Sequence, residues 1–157
     1  MSAPLELEIA GVVPDELDTA PLRKVFSATA ARAKELKLPG GTINVTFVDD
    51  AEIQRLNREY SGNDYPTDVL SFNYLETGEA IEGVIGEMAI SLTTAGRQAK
   101  EAGISLGEET ALLCLHGVLH IGGYDHADAD GREQMQLLHR SLMEEAGLTY
   151  REFEWKD

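Results

Sequence analysis

Three of the four histidines lie within the eleven residues from His116 to His126. His116 and His120 are four residues apart, so on a helix they lie about 40° apart around the axis and about 6 Å apart along it, on one face. Gly122 and Gly123 supply permissive backbone that ends a helix and turns the chain, which allows His126 to return as a third ligand. Three protein ligands on a tetrahedral ion leave a fourth position for water or substrate, as in catalytic zinc sites. We therefore predict a metal site formed by His116, His120 and His126.

One position separates this motif from that of a protease. The spacing H-x-x-x-H-x-x-G-x-x-H is that of metzincin metalloproteases, in which a glutamate follows the first histidine and acts as general base. Here that position is Gly117. The residues therefore favour a metal-activated hydrolase and leave a metallopeptidase-like hydrolase as the weaker alternative. Histidines at helical spacing can also be hydrogen-bonded core residues, which is the non-functional interpretation.

Two further residues belong to metal-binding types. His139 lies beside Arg140 on the last predicted helix, and we expect it to be a surface residue or a residue that supports the site, not a ligand. Cys114 is the only cysteine. It lies about 200° around the helix from His116, so a core thiol is a better interpretation than a fourth ligand.

Composition indicates a single cytoplasmic domain. The chain has 157 residues, of which 43% are hydrophobic, and its apolar stretches are shorter than the roughly 18 residues that indicate a membrane span. Residues 1–6 show neither the basic nor the apolar region of a signal peptide. A lone cysteine excludes an internal disulfide and is typical of a reducing compartment. We therefore expect a cytoplasmic protein with no membrane partner.

The net charge of −15 argues against tight binding to free nucleic acid. One segment differs, because residues 21–48 contain five basic residues against Glu35 alone, a local charge of +4. Such a patch can act locally on an acidic protein, since the Debye length at physiological salt is about 8 Å. An ordinary solvent-exposed helix face explains these basic residues equally well.

Hydrophobic periodicity predicts four strands and five helices. Alternation with period two indicates strands at residues 5–9, 42–48, 67–72 and 84–91. Helical spacing indicates helices at residues 20–38, from Asp49 or Asp50 to 60, 93–103, from Ser105 through the histidines, and finally to about Ala146. Ser105 and Glu108 form a capping box, and the apolar run 111–115 places that helix in the core, where it mounts the histidines rigidly. Residues 76–83 are acidic and indicate a mobile excursion.

Four motifs together resemble the YbeY family of bacterial single-domain metalloproteins. They are Leu56-Asn57, P-T-D-V-L-S-F at residues 66–72, I-G-E-M-A-I-S at 85–91 and H-G-x-L-H-x-x-G-Y-D-H at 116–126. The resemblance covers nearly the whole chain and implies one α+β domain over residues 1–157. It also implies a small mixed four-stranded sheet packed by about five helices, with the metal cleft between the histidine helix and the sheet.

The resemblance implies a function as well. It is that of a single-strand-specific, metal-dependent endoribonuclease acting in 3′-end maturation of the 16S rRNA of the small ribosomal subunit and in ribosome quality control. The implied ligands are His116, His120 and His126. Zinc is the expected ion, with another divalent transition metal as the alternative, and the expected partners are ribosomal RNA and the small subunit, not DNA. The competing interpretation is a non-catalytic, metal-stabilised ribosome assembly factor. Because the chain is acidic, a basic ribosomal protein is expected to deliver the RNA.

This chain departs from the family pattern at two positions. Ser61 stands where the family commonly has an arginine after a tyrosine, and Glu87 stands for the aspartate of the G-D-I motif. Arg58, about one helical turn before Ser61, is therefore our catalytic candidate for contacting the RNA phosphate.

Three more residues are expected to support the site. We expect Thr67 and Ser71 to line the substrate cleft and to orient an RNA backbone. Asp125 is expected to orient a histidine ring next to the ligands. For Asp125, capping of backbone amides in a turn is an equal alternative.

Overall fold

The computed structural model describes residues 3–153; Met1, Ser2 and residues 154–157 lie outside it, so expectations for the two ends of the chain are followed only within these bounds. The strands are β1 (Leu5–Ala10), β2 (Gly41–Val48), β3 (Val69–Asn73) and β4 (Val84–Ser91). The helices are α1 (Ala20–Ala31), α2 (Ala33–Leu36), α3 (Asp50–Ser61), α4 (Tyr74–Thr77), α5 (Leu92–Ala102), α6 (Leu106–Ile121) and α7 (Ala129–Glu145). Five helices are long, as expected, while α2 and α4 are single turns of four residues.

The four strands form one mixed sheet in the order β1-β2-β4-β3. β1, β2 and β4 are parallel, whereas β3 is antiparallel to β4. Along β2 the residues alternate between buried and half-buried, because successive side chains point to opposite faces of a sheet. The expectation of an α+β fold with a small mixed sheet is confirmed.

Helix α6 lies at the centre of the hydrophobic core. It packs against α1, α5, α7, β3 and β4, and residues 111–115 are at most 1% exposed. The capping box is present, since the Glu108 amide donates to Ser105 Oγ at 3.0 Å and the Ser105 amide donates to Glu108 Oε1 at 3.3 Å. Cys114 is buried, as expected for a core thiol. No helix within residues 3–153 is both long and apolar enough to cross a membrane.

A glycine allows α6 to lie directly on the sheet. A Cβ atom at Gly117 would come within 2.1 Å of the Met88 sulfur on β4, far inside van der Waals contact. Gly86 on β4 has a similar role, because a Cβ atom there would lie 2.9 Å from Ile121 Cδ1. Position 117, where metzincins carry their glutamate, therefore packs closely against β4, and a larger side chain there would collide with Met88.

The structure differs from expectation in three places. The helix expected at residues 20–38 is broken at Arg32 into α1 and α2, and Thr29 Oγ1 donates to the Val25 carbonyl at 2.7 Å, a contact that bends helices. The strand expected from residue 67 begins at Val69, because the Asp68 carboxylate accepts the Val69 amide at 2.8 Å. The mobile excursion expected at residues 76–83 begins inside a helical turn, α4, in which the Leu75 and Glu76 amides donate to the Asn73 side chain.

Candidate metal centre

The three predicted ligands lie together at the end of α6. One nitrogen of each ring, from His116, His120 and His126, lies within 4.8 Å of the other two. The Nε2 atoms of His116 and His120 are 3.1 Å apart. Bonds of about 2.0–2.1 Å to a tetrahedral zinc ion separate two ligand nitrogens by about 3.3–3.4 Å. The donor set and its spacing therefore fit a small divalent metal ion.

The turn after α6 brings His126 back, as its glycines predict. Gly122 is the C-cap, and Gly123 has φ +100°, a conformation that favours glycine. The Tyr124 amide donates to the Leu119 carbonyl at 2.9 Å, and its hydroxyl donates to the Leu36 carbonyl at 2.8 Å. These bonds fix the direction in which the chain leaves the helix.

The histidines lie at the base of a cleft of about 310 Å³. Thr67 and Ser71 are among the residues that line it, and so is Asp68, which sequence reasoning did not select. Asp68 is 7% exposed. Asn73, at the end of β3, donates from its side chain to the Ile121 carbonyl at 3.0 Å. This bond ties the sheet to the histidine helix and holds the two walls of the cleft together.

Burial keeps His116 and His120 neutral. It lowers the pKa of His116 to about 2 and of His120 to about 4, and repulsion from neighbouring imidazolium groups acts in the same direction. Asp125 opposes this effect at His120 by attracting a proton. Neutral imidazole is the form that binds metal ions. The rings are therefore ready to act as ligands at neutral pH.

His139 is part of the site, although sequence reasoning left its position open. Its side chain is fully buried, so the surface interpretation is wrong. Its Nε2 atom lies 3.2 Å from Nδ1 of His116, and burial lowers its pKa to about 3. The sequence signal was the buried face of α7, where His139 lies four residues from both Met135 and Met143.

Phe153 was missed entirely, because it lies after α7 in a segment that is neither helix nor strand. Its ring stacks on His116 with centroids 4.2 Å apart and planes 19° apart. Arg151 anchors this segment by donating from Nε to the Oε1 atom of Glu109 at 2.6 Å. Glu109 lies on α6, is fully buried, and also accepts a bond from Gln98 at 2.8 Å. Hydrophobic periodicity cannot reveal a residue such as Phe153, whose position depends on contacts between distant parts of the chain.

Arg58 is not brought to the cleft, whereas Asp125 lies close enough to His120 to act on it by its charge. Arg58 is exposed, lies 3.5 Å from the Asp64 carboxylate, and is not among the described residues that line the cleft. Asp125 accepts the Ala127 amide at 2.9 Å, which is the bond that the turn interpretation predicts. The roles given to Arg58 and Asp125 in RNA contact and ring orientation stay predictions.

Fold and site together define an α+β protein with a three-histidine cleft that can hold a metal ion. The family model described as "Endoribonuclease YbeY" matches residues 13–147. The chain therefore belongs to the YbeY family, which confirms the resemblance seen in its motifs.

Individual relatives agree with this assignment. "Endoribonuclease YbeY" of Bacillus licheniformis is 37% identical in an alignment of 147 residues that covers 88% of this chain and 91% of that protein. "Endoribonuclease YbeY" of Pelotomaculum thermopropionicum is 44% identical in an alignment of 128 residues that covers 76% of this chain and 82% of that protein. The solution structure of TM1509 from Thermotoga maritima is similar with a TM-score of 0.60 and 26% identity, and the match covers 89% of this chain and 88% of that one.

Proposed function

We propose that this protein is a metal-dependent endoribonuclease that cleaves single-stranded RNA. We further propose that it acts in the cytoplasm, in 3′-end maturation of 16S rRNA and in ribosome quality control. The observation that carries the proposal is the cluster of three imidazoles, with ligand atoms within 4.8 Å, at the base of a polar cleft. The names of the relatives support RNA as the substrate.

His116, His120 and His126 would hold the ion. We propose zinc, because imidazole ligands suit it, and another divalent transition metal is the alternative. When bound, zinc lowers the pKa of its water ligand from about 15.7 to about 7, which supplies hydroxide at neutral pH. Because position 117 has no room for the glutamate base of a protease, hydrolysis here would rely on the bound metal ion more than on a carboxylate at that position.

The cleft supplies groups that position RNA. The hydroxyls of Thr67 and Ser71 lie on its β3 side and can donate to phosphate oxygens. A cavity of about 310 Å³ admits one stretch of unpaired backbone more readily than a duplex, whose width is set by two strands. Arg58 would contact the RNA from outside the cleft after leaving Asp64, and Asp125 would orient a histidine ring.

The negative net charge of the chain favours delivery of the RNA by a second protein. At −15 the protein repels free RNA, so we propose that a basic protein of the small ribosomal subunit presents the substrate. An acidic surface attracts a basic partner and speeds association.

The deciding experiment compares wild type with His120→Ala on a structured rRNA fragment that has single-stranded and duplex regions. We expect wild type to bind one metal ion per chain and to cut only the unpaired regions. The variant should lack stoichiometric metal and leave the RNA intact. Glu133→Ala, an exposed change on α7, is the matched control and should retain metal and cleavage. Equal cleavage by His120→Ala and wild type would exclude the proposed site.

A ribosome assembly factor without catalysis is the second candidate. It is favoured by the acidic charge and by the position of Arg58, which lies outside the cleft. A purely structural metal should be needed for folding, so its removal by a chelator should unfold the domain. If wild type holds one metal ion, cuts no RNA and unfolds on chelation, this candidate replaces the nuclease.

A further inference from the structure

The two ring nitrogens of His116 have different partners. Nε2 lies 3.1 Å from Nε2 of His120, on the side where the predicted ligands converge. Nδ1 lies 3.2 Å from Nε2 of His139, which comes from α7. The ring therefore joins the candidate metal position to a buried histidine on another helix.

This arrangement fixes where the protons sit. A neutral imidazole carries one proton, so a nitrogen that binds a metal ion leaves that proton on the other nitrogen. With Nε2 of His116 as the ligand atom, Nδ1 must donate a hydrogen bond. Nε2 of His139 is at hydrogen-bond distance and must then be the acceptor, with its own proton on Nδ1.

We propose that His139 is a positioning residue of the metal centre, whose Nε2 accepts the Nδ1 proton of His116 and so keeps Nε2 of His116 directed at the metal ion. The inference rests on metal binding in the proposed function. Histidine ligands commonly have such an acceptor, usually a carboxylate, a carbonyl or water, and its loss weakens metal binding by about 10- to 100-fold. In this chain the acceptor is a fourth imidazole.

The contact between His116 and His139 is shielded from bulk solvent. His139 is fully buried and His116 is 5% exposed. Phe153 stacks on His116 at 4.2 Å and lies 5.2 Å from the His139 ring, measured between centroids. An apolar side chain at position 139 therefore removes this acceptor from the buried Nδ1 donor of His116, which weakens the preference for the tautomer that the metal needs.

The test compares His139→Gln with His139→Leu in the full-length protein. Glutamine places an amide oxygen close to the position of the histidine Nε2 and keeps an acceptor, whereas leucine has similar bulk and none. Zinc affinity is measured by competition with a chromophoric chelator, and urea unfolding of the metal-free proteins controls for folding. We expect His139→Leu to lose about 10- to 100-fold in zinc affinity and His139→Gln to stay within a few-fold of wild type.

A spectroscopic measurement examines the same bond in the wild type. Long-range ¹H–¹⁵N correlations of the zinc-bound protein report which nitrogen of His116 carries the proton, and we expect Nδ1. A proton on Nε2 overturns the inference, as does equal zinc affinity for wild type and His139→Leu, or an equal loss in both variants. If His139→Leu does not fold, the tautomer and His139→Gln still decide. Failure of wild type to bind zinc at all instead contradicts the proposed function.

Discussion

Substitution of alanine for Gly117 tests how closely the histidine helix must approach the sheet. The new Cβ would lie 2.1 Å from Met88 Sδ, 3.1 Å from Met88 Cγ and 3.4 Å from Ser71 Oγ. Met88 is 2% exposed, so its side chain must repack inside the core to make room for the new methyl group. Overpacking of this kind costs about 1–3 kcal/mol of unfolding free energy.

A second glycine provides the matched control. Gly96 lies in helix α5, and a Cβ atom there would meet nothing within 4 Å. Both substitutions gain about 1 kcal/mol from the higher helix propensity of alanine, so their difference isolates the clash. We expect Gly96→Ala to raise the free energy of unfolding and Gly117→Ala to fall about 1–3 kcal/mol below it.

Urea denaturation of the metal-free proteins measures this difference. In a protein of this size, 1 kcal/mol corresponds to about 2–4 °C in Tm, so thermal unfolding gives an independent reading. If Gly117→Ala is as stable as Gly96→Ala, α6 does not need a glycine to reach β4, and the steric reason given for the missing protease glutamate is wrong.

Three further predictions concern charge. Arg151→Ala leaves the Glu109 carboxylate buried with only part of its partners, so urea unfolding should show a loss of about 3 kcal/mol. Arg55→Ala, whose ion pairs are exposed, should lose much less stability, and equal losses would contradict the argument. The metal-free protein should lose stability as the pH falls from about 6.5 towards 4, because burial lowers the pKa values of His116, His120 and His139 to between about 2 and about 4 and the unfolded state then binds more protons. Each ring contributes about 1.4 kcal/mol of unfolding free energy per pH unit. An unfolding free energy that stays constant over this pH range would refute the burial argument. Arg58→Ala should weaken RNA cleavage while metal content stays at the wild-type value, and unchanged cleavage would leave Arg58 as a surface residue paired with Asp64.

Local patterns predicted the features that depend on local geometry. The capping box of Ser105 and Glu108, the turn at Gly122 and Gly123, and the alternation of β2 are all contained in short stretches of chain, so period and residue type were sufficient. The three histidines belong to this group, because two share one helix face and the third follows a turn of known type.

Features made by distant segments were not predictable in the same way. Phe153 contacts a ring that is 37 residues earlier in the chain, and the buried pair of Glu109 and Arg151 spans 42 residues. His139 lay on a predicted helix, but only the packing of α7 on α6 decides that it meets His116. The role of Arg58 stays a prediction, because its place one helical turn from Ser61 leaves it 3.5 Å from the Asp64 carboxylate and not among the described residues that line the cleft.

The short span of the ligands affects how much the metal ion can stabilise the fold. His116, His120 and His126 lie within eleven residues, so an unfolded chain keeps them close together as a flexible chelator. A ligand stabilises a fold only by its preference for the folded state, at most about 2.7 kcal/mol at a concentration of 100 Kd, and binding to the unfolded chain subtracts from this. The preference must therefore come from what the unfolded chain lacks. One part is helix α6, which holds His116 and His120 on one face; the others are the ring of His139 and the Phe153 stack, which exist only after distant parts of the chain have met.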